Sequence, residues 1–151
     1  MDPVFIHADE SHADIVIGLM REFYVIEKLN FKESAARKVL RQIFNKRSNG
    51  LIHLIKLHGE IVGYFVLTFG FSLEFHGRDA LVDELYVREK YRGKGIGKAS
   101  LRFIEEICCR EKIEALHLEV DRNNKRAQKL YRETGFKDHD RYLLTKWLCN
   151  K

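Results

Sequence analysis

Proline is almost missing from this sequence: Pro3 is the only one in 151 residues. That excludes a proline-rich linker or a polyproline recognition segment, and no low-complexity stretch or internal repeat stands in its place. Cysteine is scarce too. Cys108 and Cys109 are adjacent, so on a helix they point about 100° apart, and Cys149 stands alone. Neither a zinc ligand set nor a disulfide framework fits, and reduced thiols in a cytoplasmic protein are expected. The seven histidines show no H-x-x-x-H or H-x-x-C spacing, so no metal is expected. Long apolar runs are also lacking. Residues 61–69 are among the longest, far short of the roughly 20 that cross a bilayer. Asp2, Asp9 and Glu10 lie where a signal peptide would be basic and then apolar. A cytoplasmic chain with no membrane partner is expected.

What is present is the balance of a folded chain, with 45% hydrophobic and 32% charged residues. Residues 1–151 suffice for one domain that buries roughly 70% of its unfolded surface. The net charge of +5 fits nucleic acid, a membrane surface or an anionic cofactor, and its placement decides between them. A nucleic-acid binder needs a basic face interleaved with exposed aromatics. Here the basic residues gather around one turn and otherwise spread over helices, so no nucleic-acid partner is expected.

The hydrophobic period orders the chain. Residues 4–6 read as a short strand, and Asp9-Glu10-Ser11 as a helix entry. Val16, Leu19, Met20 and Phe23 then recur at helical spacing. Ala36, Val39, Leu40, Ile43 and Phe44 predict a second helix that Ser48-Asn49-Gly50 stops. Residues 51–57 and 61–71 are β-rich and flank His58-Gly59-Glu60, the pattern of an antiparallel hairpin. Residues 79–88 are a third long strand. A helix follows from Gly95, then a strand over 115–120, a helix over 124–133 ended by Gly135, and last β material at 136–137 and 142–147. The order β-α-α-β-β-β-α-β-α-β-β predicts a mixed α/β sheet.

The most informative stretch is Tyr91-Arg92-Gly93-Lys94-Gly95-Ile96-Gly97-Lys98. Three of the ten glycines lie within five residues, between a strand and an amphipathic helix. Glycine lets the backbone turn tightly and lets a ligand approach the amides. The first amides of the following helix point outward as donors to an anion. Arg88, Lys90, Arg92, Lys94, Lys98 and Arg102 surround them, making a phosphate cradle with a cationic rim. A Walker loop, G-x-x-x-x-G-K-[ST], fails at Arg92 and Ala99. The dinucleotide fingerprint laid over Gly95 and Gly97 fails at Ser100.

The pattern R-x-x-G-x-G, here Arg92, Gly95 and Gly97, resembles the coenzyme signature of the GNAT family of N-acetyltransferases. Asp83-Glu84-Leu85-Tyr86-Val87 is similar to that family's fourth strand. Asn124-x-x-Ala127-x-x-Leu130-Tyr131-x-x-x-Gly135-Phe136 is similar to its later helix. The resemblance implies a central, mostly antiparallel sheet splayed between strands 4 and 5 and flanked by four helices, with acetyl-CoA as co-substrate. By the same resemblance, Arg92, Gly93, Lys94, Gly95, Ile96, Gly97 and Lys98 hold the pyrophosphate, and Leu85, Tyr86 and Val87 offer backbone groups to the pantetheine arm. Asn124 contacts the pantetheine arm or the phosphates, Ala127 belongs to the same coenzyme site, and Tyr131 protonates the departing thiolate.

Few free amines exist at neutral pH, because an alkyl amine titrates near pH 10, so a carboxylate must take the surplus proton. Glu84 is the first candidate base and Asp83 the second. Successive strand residues face opposite sides, and a bulge would let both contribute. Glu74, Asp83 and Glu84, with Tyr24 and Glu27 of the first helix, form an expected acidic acceptor side that attracts a cationic amine. The stretches 71–78 and 23–27 are similar to the diamine and polyamine acetyltransferase branch. Amino acids, aminoglycosides and protein amines are the alternative acceptors, and a non-catalytic acetyl-CoA-binding module is the alternative class. The strands expected around residues 142–147 suit pairing across a homodimer, as the resemblance implies.

Overall fold

The structure is a computed structural model that describes residues 2–149. Its elements run β1 (Val4–His7), α1 (Ala13–Ile26), α2 (Glu33–Asn45), β2 (Gly50–Leu57), β3 (Glu60–Ser72), β4 (Gly77–Val87), α3 (Ile96–Arg110), β5 (Ala115–Leu118) and α4 (Lys125–Glu133). The entry to α1 is set by Asp9, whose side chain accepts from the Ser11 amide while His12 reaches back to the Asp9 amide. The β2–β3 turn uses His58 and Gly59, both at positive φ, 52° and 81°. That is the backbone a tight hairpin needs for its twist to match the strands.

The strands lie in the order β1-β2-β3-β4-β5. The first four pair antiparallel, and β5 pairs parallel to β4 only from Asp79↔Ala115 to Val82↔Leu118. Beyond Val82 the two strands part, which is the expected splay. A bulge sits at the same place: Val66 pairs with Glu84 and Leu67 with Val82, leaving Asp83 without a partner on β3.

Each sheet face has its own core. Phe65, Leu67, Ala80 and Val82 meet Leu101, Ile104 and Ile107 of α3 on one side. Tyr64, Val66 and Tyr86 meet Val16, Leu19 and Met20 of α1 and Leu40 and Ile43 of α2 on the other. Gly97 brings α3 against α4: a Cβ there would lie 3.3 Å from Leu130 Cδ2.

One expectation fails. Residues 136–148 form no strand, and Tyr142, Leu143, Leu144, Trp147 and Leu148 stand exposed. A strand needs a neighbouring edge to bond to, and no described segment lies beside this one in a ladder.

Candidate active site

β4, α3 and α4 converge on one cleft of about 2080 Å³. The cleft is open and runs from Glu27 of α1 to residues beyond α4. Its lining includes Glu27, Asp83 to Val87, Arg92, Gly93, Gly95 to Lys98, Asn124, Ala127 and Tyr131. Of the residues expected in the site, Tyr24 touches it through Glu84, whereas Lys94 reaches over the Tyr91 ring. Glu74 is not brought there. It pairs bidentately with Arg141 at the β3–β4 turn, and the strand from Gly77 to Asp83 alone spans about 20 Å. Glu74 is absent from the cleft lining, although its neighbour Phe75 and its partner Arg141 belong to it.

The glycine turn adopts the conformation that its sequence demands. Gly93 and Gly95 have φ of 77° and 80°, and Gly95 caps α3 from the left-handed region with no side chain over the helix end. A Cβ on Gly95 would meet nothing within 4 Å, so the approach to the first amides of α3 is open. Those amides and the helix dipole suit an anion. The Arg92 guanidinium turns inward, donating to the Val87 carbonyl at 2.8 Å, and so ties the turn to the end of β4. The Asn124 side chain accepts from the Ala127 amide at 3.1 Å and caps α4. Past Val82 the β4 edge has no β5 partner, which leaves Leu85, Tyr86 and Val87 beside the cleft as expected. Open helix amides, a cationic rim and an unpaired strand edge together match the phosphates and the amide-bearing arm of acetyl-CoA.

The two carboxylates of the bulge are held differently. Glu84 accepts from the Tyr64 hydroxyl at 2.7 Å on one oxygen and from Tyr24 on the other. Burial pushes its carboxyl above the usual range, and both phenols pull it back. Asp83 accepts no hydrogen bond among the described residues, and burial alone raises its carboxyl. Tyr131 packs against Phe136 and has no hydrogen-bond partner among the described residues. Burial and the nearby Glu27 charge push its hydroxyl above the ordinary phenol value. Sequence reasoning missed Tyr64, because a tyrosine at an inward position of an apolar strand reads as core. Glu22 is committed elsewhere, accepting from Arg88 and Tyr86. Cys108 is buried with its thiol pushed up to about 11, which leaves it unreactive.

The comparison that decides the family is a match of residues 18–136 to the Acetyltransferase (GNAT) family. The chain belongs to that family. It is an acetyl-CoA-dependent N-acetyltransferase, with the family's five-strand mixed sheet and four helices. It is 27% identical to a thialysine N-epsilon-acetyltransferase from Bos taurus and 28% identical to that from Mus musculus, covering 87% of this chain and 82% of each relative. Among solved structures, an integron cassette protein from the mobile metagenome of Cole Harbour Salt Marsh superimposes with a TM-score of 0.85 at 33% identity, over 97% of this chain and 91% of that one. An aminoglycoside N-acetyltransferase in complex with CoA shares the fold at a TM-score of 0.80 and 12% identity, over 97% and 95%. No helix among the described residues of this acetyltransferase is long and apolar enough to cross a membrane.

Proposed function

We propose that this chain transfers the acetyl group of acetyl-CoA to a primary amine of a small cationic molecule by direct attack, with Asp83 as base and Tyr131 as proton donor. The observation that carries this reading is the uncommitted Asp83 on the bulge, beside an edge of β4 that the splay leaves unpaired. Acetyl-CoA supplies the acetyl group as a thioester. The turn from Arg92 to Lys98 binds its phosphates, the β4 edge from Leu85 to Val87 orients its arm, and Asn124 and Ala127 border it. Partial desolvation raises the Asp83 carboxyl above the usual carboxylate range, which makes it a stronger base than a free aspartate. The nitrogen–carbon bond forms, the carbon–sulfur bond breaks, Asp83 holds the proton lost by nitrogen, and Tyr131 Oη provides the one gained by sulfur. The sequence ranks Glu84 first as base, but the Tyr24 and Tyr64 hydroxyls both donate to it and favour its charged form, which weakens it as a base, whereas Asp83 accepts no such bond among the described residues. Asp83, Glu84 and Glu27 make the acceptor side anionic, which favours a cationic amine. The relatives named for thialysine make that compound, lysine and 1,4-diaminobutane the first acceptors to assay.

The exposed apolar tail supports a homodimer in which residues 142–148 of each copy pair with the open edge of the other's β5. The free cysteines are consistent with a cytoplasmic setting.

The deciding experiment is a steady-state assay of CoA release with each acceptor, alongside calorimetric titration with acetyl-CoA. Micromolar acetyl-CoA binding and turnover with at least one cationic amine are expected. Binding without turnover across amines of every charge would replace this reading with a coenzyme-binding module.

A further inference from the structure

Tyr64 lies on β3, opposite Tyr86 and two residues before Val66, the position that pairs with Glu84. It is fully buried, and its ring packs 6.3 Å from Phe23 and 6.2 Å from Tyr86, centroid to centroid. Phenylalanine would fill the same space without bringing a polar group into the core. A buried hydroxyl left unpaired costs on the order of 1–3 kcal/mol, and this one has a single partner among the described residues, Glu84 Oε1. Tyr24, reaching in from α1, takes the other oxygen. One phenol comes from the sheet and the other from α1, and each donates to a different oxygen of the acid.

A carboxylate has about four lone-pair sites. Two are used by the phenols, and the rest remain on a side chain that lines the cleft. We infer that Tyr64 is a positioning residue that, with Tyr24, fixes Glu84 as the anchor for the acceptor's cationic group, leaving Asp83 free to take the reacting proton. This rests on the acetyltransferase reading and assigns the paired carboxylates separate tasks. An unclamped glutamate on a bulge would sample several rotamers and lose that freedom at each binding event. The groups that set its charge are Tyr24 on α1, Tyr64 on β3 and Asp83 on its own strand. The phenols favour the ionised form, while burial and Asp83 oppose it.

The test is Tyr64→Phe and, separately, Tyr24→Phe, assayed with 1,4-diaminobutane and thialysine over pH 6 to 10. For each variant, the amine KM rises about tenfold, kcat stays within about threefold, and the KM for acetyl-CoA stays within about twofold. The acidic limb of kcat/KM moves to higher pH, because the anchor has lost a bond that favours its charged form. Glu84→Gln added to Tyr64→Phe costs less than Glu84→Gln alone, since both changes disable one device. Unchanged amine KM and an unmoved acidic limb in folded variants would overturn the inference and leave both tyrosines as packing groups. If Tyr64→Phe fails to fold, Tyr24→Phe decides on the same criteria. Should the wild-type chain transfer no acetyl group, the enzyme reading fails first. The clamp is then judged by carboxyl ¹³C NMR, where Tyr64→Phe must raise the Glu84 titration midpoint.

Discussion

In the reaction proposed above, Tyr131 gives one proton and Asp83 takes another, and their surroundings would set its pH range. Burial and the Glu27 charge hold the Tyr131 hydroxyl above the phenol range, so it stays protonated throughout the alkaline region where amines are free. The rate with a saturating amine should therefore show no alkaline fall below about pH 10. Glu27→Gln should bring that fall to lower pH, as a pH–kcat profile would register. Tyr131→Phe should lower kcat about 100-fold with little change in acetyl-CoA affinity, the usual scale for losing a proton donor. His53 makes a different prediction. Packed against Phe65 and Phe103, it is buried with no partner for Nδ1 among the described residues, and burial pulls it down to about 4. The unfolded chain then binds the proton more readily, so stability is intact above pH 6.5 and declines as pH falls toward 4. The loss reaches about 3 kcal/mol. Urea unfolding of His53→Phe should show a flatter acid slope than the wild type, and equal slopes would assign acid lability to other groups.

At the level of elements, the glycine turn is the part most directly read from sequence. Gly93 and Gly95 are spaced for a left-handed turn, and the structure has them there. Gly95→Ala should cost roughly 1–2 kcal/mol from forcing a Cβ into that region. It should also weaken acetyl-CoA binding by displacing the start of α3, which calorimetry would detect. Strand and helix positions followed from periodicity because each buries one face against a neighbour that the chain itself supplies. The segment over 142–147 did not, because its aromatic and branched residues suit a strand but cannot say whose edge it will join. The Arg141–Glu74 pair was illegible for a related reason: it joins positions 67 residues apart, and nothing local marks either one. The bulge was foreseen only as a way for two adjacent acids to share a site. Its location depends on pairing with β3, which no single strand encodes.

On the scale of the whole molecule, the cationic rim should give acetyl-CoA binding a strong salt dependence. Raising ionic strength from 0.05 to 0.5 M shortens the screening distance several-fold, and the KM for acetyl-CoA should rise more steeply than that for the amine. Sedimentation should report a dimer that dissociates when residues 141–151 are removed, and a monomeric wild type would leave the apolar tail without its proposed partner. The bulge at Asp83 has a further consequence for how this chain can change. Before it, Ala80 and Val82 face the α3 core; after it, Glu84 points toward Tyr64 and Tyr86 enters the α1–α2 core. In a regular strand Val82 and Glu84 would share a side. β4 is thus read in two frames joined at one residue. Deleting Asp83 would close the bulge and make Val82 and Glu84 ordinary neighbours on opposite faces, so both cores would keep their residues while the cleft lost its uncommitted acid. A one-residue change of length past the bulge, between Glu84 and Val87, is different: the residues beyond it shift by one against β3 and change faces, so the strand tolerates a change of length at Asp83 alone.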